Sequence, residues 1–430
     1  MRSTSYLYLL SFLFCTRLFS QPPSSESLIE HYKVKIEKHL DKEKALSGYY
    51  SFDDEGIYMY GSLTDKKNNR PEFKIFWNEL QAAKALFYLK SNKEIEHILS
   101  LKKDKPFSAE QINDWANDFS EMPVKRKSLQ GIRIAIDPGH IAGDMATAKL
   151  EKKFISMKAN PAFGLKQDVQ IIEGELTLAT AKLLKQKLEA EGALVMLTRD
   201  SSDISAFGKT FENWLINDFK NSVEKSFTES AITEAEKTFL LAKAAKRDIF
   251  RNYFSALDIR ERANKINAFR PDIAVVVHYN VDEKNTGWVK PSDKNYNMVF
   301  IGGSFMKDEL NTFQSRVHFL RMLITDDVSK SVDLSEKLIK KFHDNLQVSS
   351  ALSGNADYLR KNCMDTEIQG VYHRNLTLTQ LVHGTTAYCE TLYQDNIKEC
   401  ILLDEKTTSV RIKEVADAYY KGIKEYFLNR

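Results

Sequence analysis

Two kinds of apolar pattern alternate along the second two-thirds of the chain. Short runs, IRIAI (Ile132 to Ile136), ALVMLT (Ala193 to Thr198), IAVVV (Ile273 to Val277), Met298 to Ile301 and Thr385 to Leu392, predict strands. IAVVV is apolar throughout and predicts a strand buried on both faces. Between the runs, apolar residues recur at three- and four-residue steps. Leu178, Ala181, Leu184 and Leu188 share one face of a helix from Glu173 to Gly192, with the glycine as its stop. Further helices are predicted over Arg260 to Ala268, Val332 to Leu346 and Val410 to Phe427. Strand, helix, strand in that order is a βαβ unit. The fold class expected is therefore α/β: an open mixed, mostly parallel sheet flanked by helices.

Two regions depart from this rhythm. From Leu28 to about Met122 the chain is rich in lysine and glutamate with helical patterning. It predicts a smaller, mainly helical accessory domain over 21–125. Phe73, Phe76, Trp77, Leu80 and Ala83 are spaced as one helical face. Ser108 and Glu110 open another helix through Trp115 and Phe119, and Gly56 to Tyr60 fits a strand in a small sheet. No residue set in this region carries chemistry, so a structural or targeting role is expected. Met122 to Gln130 reads as a linker to a second domain, 131–430. Within that domain, 205–253 is a charged, helical insertion between a strand and its next helix. A lid over the crevice, and hence autoinhibition, is one reading of it; an inert surface decoration is the other.

Composition narrows the class. In 430 residues, 43% are hydrophobic and 28% charged, as in soluble globular proteins, and a formal charge of +3 gives no concentrated basic footprint for nucleic acid. The first twenty residues differ: Arg2, an apolar run from Tyr6 to Cys15, then Ser20 before Gln21. That is the layout of a secretory signal peptide (1–20), too short to span a bilayer. No later stretch is long and apolar enough for a membrane segment, so the mature chain is expected to be exported to the periplasm or cell envelope. Cys363, Cys389 and Cys400 would remain after cleavage, an odd number that leaves at least one thiol unpaired, and a Cys363–Cys400 bond is one candidate pairing.

Two histidines follow buried strands, His140 after IRIAI and His278 after IAVVV. The carboxyl ends of strands line the crevice of an open α/β sheet, so both imidazoles can reach one site. A catalytic zinc needs three protein ligands and an open position, and Glu173, at the start of the intervening helix, can be the third. Singly, each has an ordinary explanation: a hydrogen-bonded structural histidine, or a carboxylate favoured by the helix dipole.

Taken in order, these motifs resemble the zinc-dependent N-acetylmuramoyl-L-alanine amidases that trim bacterial peptidoglycan. The resemblance covers Gly131 to Phe427 apart from the insertion. IAIDPGH is similar to the family's opening strand and metal-binding turn, which implies a zinc ligand at His140. EGELTLATAKLLKQKLEAEGALVMLTR matches the glutamate-led helix and following strand, implying Glu173 rather than Glu175 as ligand. ERANKINAFRPDIAVVVHYN implies His278 as the third ligand and Asn280 as a pocket residue. CETLYQDN implies a catalytic glutamate at Glu390, with Asn396 downstream. Three departures stand out: Ile141-Ala142-Gly143 where a glycine pair is common, Gly174 where a lysine usually follows the ligand, and TLYQD after Glu390.

The resemblance implies Zn²⁺ as cofactor, peptidoglycan as partner, and hydrolysis of the bond between the muramoyl lactyl group and L-alanine. Glu390 would move the proton, and Arg374 and Asn375 are candidates to contact the stem peptide. His373 and His383 are expected to be ordinary loop histidines, and Arg262 to pair with a carboxylate and brace its helix. No residue identifies an activator protein. The alternatives are a peptidoglycan-binding protein without turnover and a cysteine hydrolase built on Cys389 with His383. The chain contains no HExxH, which disfavours the common zinc peptidase design.

Overall fold

The computed structural model describes residues 23–118, 127–285, 287, 290–404 and 409–428; the expected signal peptide, the first part of the linker, and Phe119 lie outside them. Seven strands form the central sheet: β1 (Arg133–Pro138), β2 (Leu194–Leu197), β3 (Ile273–Asn280), β4 (Met298–Ile301), β5 (Cys363–Asp365), β6 (Val371–Arg374) and β7 (Thr386–Tyr393). Their order is β5-β6-β4-β7-β3-β1-β2. The pairs β2–β1, β1–β3, β3–β7 and β6–β4 are parallel; β5–β6 and β4–β7 are antiparallel. The expected mixed, mostly parallel sheet is what the chain forms.

Strand alternation sorts the core into two layers. Ile134, Ile136, Val275 and Val277 face one way and pack with α1 (Glu173–Ala190), α4 (Asp327–Leu346) and α5 (Val410–Leu428), through Leu184, Leu188, Leu334, Leu338, Phe342, Val415 and Tyr419. Ala135, Ala274 and Val276 face the other way, against Ala263 and Ile266 of α2 (Ser255–Phe269). Small side chains on this second face let α2 approach closely. Both faces are covered, as a near-continuous apolar strand requires.

In the N-terminal region, Gly56–Met59 is the middle strand of a three-stranded sheet, as expected. The helical face drawn through Phe73 and Ala83 is not formed. Phe73–Phe76 is a strand, followed by a 3₁₀ turn at Trp77–Glu79 and an α-helix from Leu80. Phe73 and Ile75 are fully buried at a spacing of two. Lys74 between them is also buried, its ammonium 4.3 Å and 4.1 Å from the Tyr58 and Phe76 ring centroids. Its aliphatic stem and cation–π partners let a lysine stand in a strand core.

The same region shares a hydrophobic core with α3 (Phe313–Ile324), through Phe319, Leu320, Met322 and Leu323. Polar ties reinforce the junction. Arg316 donates to both oxygens of Glu72 at 2.7 Å, His383 Nε2 lies 2.7 Å from Asn92 Oδ1, and His39 Nδ1 lies 2.8 Å from His373 Nε2. His373 and His383 are thus buried structural groups: His373 lies on β6 rather than in a loop, and His383 sits in the loop that leads into β7.

The insertion is helical, with helices Phe211–Asn217, Phe219–Thr228, Glu234–Ala242 and Lys246–Ile249. Phe211, Trp214, Val223, Phe250, Tyr253 and Phe254 give it an aromatic core of its own. A π-helical turn, Phe250–Phe254, joins it directly to α2. Ile141, the neighbour of His140, is buried in that core, and Leu150 and Leu257 pack against it.

Candidate metal centre and catalytic residues

β1 ends where Pro138 pairs with Val277 and the Gly139 N–H donates to the Val277 carbonyl at 3.0 Å. This brings the chain directly under the His278 ring. A Cβ on Gly139 would sit 2.2 Å from that ring, so only glycine permits the approach. His140 then turns outward with φ 60°, a left-handed conformation uncommon for a side-chain-bearing residue. Two buried arginines hold the turn. Arg262 Nη1 donates to the Pro138 carbonyl (2.6 Å) and Nη2 to the His140 carbonyl (2.8 Å), while Arg199 donates to the Pro138, Gly139 and Gly174 carbonyls at 3.1, 3.1 and 2.7 Å. Arg262 also pairs with Asp258 (2.6 Å) and Asp137 (3.1 Å), the bracing role expected of it.

α1 starts at Glu173, beside that turn. Gly174 packs so closely that a Cβ there would lie 2.3 Å from the Ala142 carbonyl oxygen. Lysine is excluded at this position by contact, and a different lysine supplies charge nearby: Lys153 Nζ lies 3.7 Å from Glu173 Oε2. β3 runs through Asn280 rather than ending at Val277, so His278 projects from within the strand. Its ring stacks on Tyr388 at 4.6 Å and 13°.

The ligand atoms of His140, Glu173 and His278 all lie within 4.8 Å of one another. Glu173 Oε1 is 3.2 Å from His140 Nε2 and 3.2 Å from His278 Nδ1. Glu173 Oε2 accepts from Gln394 Nε2 at 3.0 Å. His140 Nδ1 lies 3.1 Å from Glu151 Oε1, and since a carboxylate only accepts, Nδ1 carries the proton. That leaves Nε2 buried without a hydrogen-bond partner and facing a carboxylate oxygen. A cation between them resolves the arrangement, and two imidazoles with one carboxylate is a donor set that zinc takes. The residues fit the metal.

Glu390 stands opposite His278 in the register of β7 on β3. Burial, reinforced by the negative Glu173, pushes its carboxyl up to about 7, against the pull of Lys153, His140 and Arg374. Glu173 moves oppositely: burial alone would raise it, but His140 and Lys153 hold it well below the usual range. Burial lowers His278 to about 4, which keeps its imidazole neutral. Two carboxylates driven apart in this way suit one ligand and one proton carrier.

Asn280 Nδ2 donates to Tyr358 Oη at 3.1 Å, and Arg374 lies over the Tyr358 and Phe300 rings at 4.9 and 4.8 Å. Asn375 donates to Glu309 at 2.8 Å. Asn396 is the N-cap of helix Ile397–Leu403, accepting from Lys398 and Glu399. Cys389 is buried in the main core and its thiol is pushed up by burial, so it does not share a site with His383, which faces Asn92. Cys363, Cys389 and Cys400 are free thiols, so no Cys363–Cys400 bond forms. Glu151 and Lys153 have no signal in the sequence beyond their residue type, while Arg199 and Gln394 stand within the LTR and CETLYQDN segments without a role read for them there. A cleft of about 290 Å³ adjoins the site, lined by His140, His278, Tyr388, Leu378 and, from the insertion's last turn, Arg251.

Residues 134–425 match the family model described as N-acetylmuramoyl-L-alanine amidase. No curated protein matches the chain. Among solved structures, it is similar to the CwlD amidase of Clostridioides difficile in complex with the GerS lipoprotein (16% identity, 69% of this chain and 98% of that one, TM-score 0.37). It is also similar to the apo form of the amidase Ami1 from Mycobacterium abscessus (14%, 69% and 99%, 0.37). A third is the catalytic domain of CwlV from Bacillus (Paenibacillus) polymyxa (14%, 69% and 97%, 0.35). Likenesses at these TM-scores carry no functional argument; the family match does, because it spans well over half of the chain and includes every residue of the centre. The chain belongs to the N-acetylmuramoyl-L-alanine amidase family and is an enzyme of that class.

Proposed function

We propose that the protein is a zinc-dependent hydrolase of the amide bond between the N-acetylmuramoyl lactyl group and L-alanine of the peptidoglycan stem. The observation that carries this reading is the convergence of His140, Glu173 and His278 within 4.8 Å, with Glu390 in register beside His278. His140, Glu173 and His278 would hold the ion. A bound zinc supplies Lewis-acid polarisation of the amide carbonyl and acidifies water. Glu390 takes the proton from water as its oxygen bonds to the lactyl carbonyl carbon, and delivers it to the alanine nitrogen as the carbon–nitrogen bond breaks. Neutral His278, stacked on Tyr388, keeps its orientation throughout. Asn280, at the end of the neighbouring strand β3, and Arg374, at the end of β6, are assigned to the stem peptide.

The same reading takes 1–20 as a signal peptide, 21–125 as an accessory domain, and 131–430 as the catalytic domain with the insertion 205–253, acting in the periplasm or cell envelope. Among the described residues no helix is long and apolar enough to cross a membrane. The competing reading, peptidoglycan binding without turnover, is separated by one assay. A soluble N-acetylmuramoyl peptide is incubated with the zinc-loaded protein and the products are weighed by mass spectrometry. A new peptide with a free alanine amine supports hydrolysis; an intact ligand retained by the protein supports binding alone.

A further inference from the structure

The segment between the two halves of the metal centre, 141–172, carries a helix, Met145–Glu151, and a hairpin, Phe154–Met157 with Val169–Ile172. Asp144 caps the helix by accepting from the Thr147 N–H at 2.7 Å, and Lys152, at φ 58°, ends it. Its last residue is therefore an acid at a helix C-terminus, where the dipole disfavours negative charge. The helix gains nothing from Glu151, so the reason for the residue lies in what it faces.

Glu151 faces His140. Its Oε1 is 3.1 Å from His140 Nδ1, and its two oxygens accept from the backbone N–H of Ile141 (3.2 Å) and Ala142 (3.2 Å). The side chain is 9% exposed, so these bonds are little diluted by water. They fix both the ring and the left-handed backbone that presents it. A ligand imidazole whose second nitrogen donates to a carboxylate is held in one tautomer and becomes a stronger donor.

We infer that Glu151 is the positioning residue of the metal centre, holding His140 with Nδ1 protonated and Nε2 free for Zn²⁺. This rests on His140 being a ligand. Removal of such a carboxylate costs ten- to a hundredfold in metal affinity. The folded full chain, stripped of metal, is titrated with Zn²⁺ against a chromophoric chelator as wild type, Glu151→Ala, Glu151→Gln and His140→Ala, and the imidazole nitrogens are followed by ¹⁵N NMR. Glu151→Ala is expected to bind zinc at least tenfold more weakly, with the His140 nitrogens losing their single-tautomer signature. Glu151→Gln, which keeps an acceptor but not the charge, should fall between. A purely structural Glu151 would lower the melting point of the metal-free protein and leave both readouts unchanged, which overturns the inference. If Glu151→Ala does not fold, Glu151→Gln decides by the same criterion: affinity within twofold of wild type overturns it. If His140→Ala itself binds zinc normally, the assignment of the centre falls too; if only His140→Ala loses zinc, the inference about Glu151 falls alone.

Discussion

Glu390 and His278 occupy directly paired positions on the adjacent parallel strands β7 and β3. Residues paired across a sheet project to the same face, so the register brings the proton carrier to the ligand with no help from a loop. Just beyond, the pairing of β7 with β3 shifts between Glu390 and Tyr393, and Leu392 adopts φ 45°. Such a bulge re-aims the following side chains. Gln394 thereby reaches Glu173 from the end of the strand that carries Glu390.

Substituting Glu390→Gln removes the base and leaves the three ligands in place. Zinc content should stay at the wild-type level, while turnover falls by a factor of about 10² to 10⁴, the usual contribution of a general acid–base group. Metal analysis and product release on the same preparation check this, and full activity in the variant would refute the role.

Arg262 is buried between Asp137 and Asp258 and also carries the His140 turn. Arg262→Met leaves two buried carboxylates without their cation, a change that costs about 3–5 kcal/mol when one partner of a buried pair is removed. Urea unfolding of the metal-free variant measures it. A loss under 1 kcal/mol would mean that the pair is relieved by water.

Asn396 occupies the downstream asparagine position of the family motif, yet its side chain caps a helix. Asn396→Ala should destabilise the fold by about 1 kcal/mol and leave kcat unchanged. A large loss of kcat at normal stability would instead assign it to the site.

The junction between the N-terminal region and the sheet should loosen in acid. His373 Nδ1 lies 3.0 Å from the Gly302 carbonyl, which makes its Nε2 the acceptor for His39 Nδ1–H. Burial lowers His39 to about 4 and His373 to about 3. Both therefore bind protons less readily folded than unfolded. Their contribution is whole above the ordinary histidine value of about 6.5 and is lost as pH falls through it toward their folded values. Melting temperature should decline from pH 7.5 to 5, and less so in His39→Phe; identical pH profiles would exclude this pair as the cause.

The sequence made the catalytic half legible because its signals are local. IRIAI, IAVVV and the face of Leu178 to Leu188 each report burial within a few residues, and the structure places all of them in the central sheet and α1. His140, Glu173 and His278 followed because each sits in or directly beside one of those elements. What escaped depends on distant partners. Phe73–Phe76 is a strand because Gly56–Met59 pairs with it, a fact outside any window around Phe73. The helix Phe313–Ile324 is buried on nearly every side, so it offers no amphipathic stripe to read. Glu151 had no signal at all, since its meaning comes from a histidine ring eleven residues away, across a turn. Gln394 lies 221 residues from the glutamate it holds.

The central claim, that these residues form a zinc-dependent amidase of the peptidoglycan stem, is tested most directly by digestion of purified peptidoglycan. The protein is incubated with the polymer alone, with a zinc chelator, and with the chelator followed by excess Zn²⁺, and the soluble products are identified by mass spectrometry. Stem peptides bearing a free L-alanine amine, absent under chelation and restored by zinc, are the predicted result. Release of the same peptides undiminished by the chelator, or of glycan fragments in their place, would contradict it.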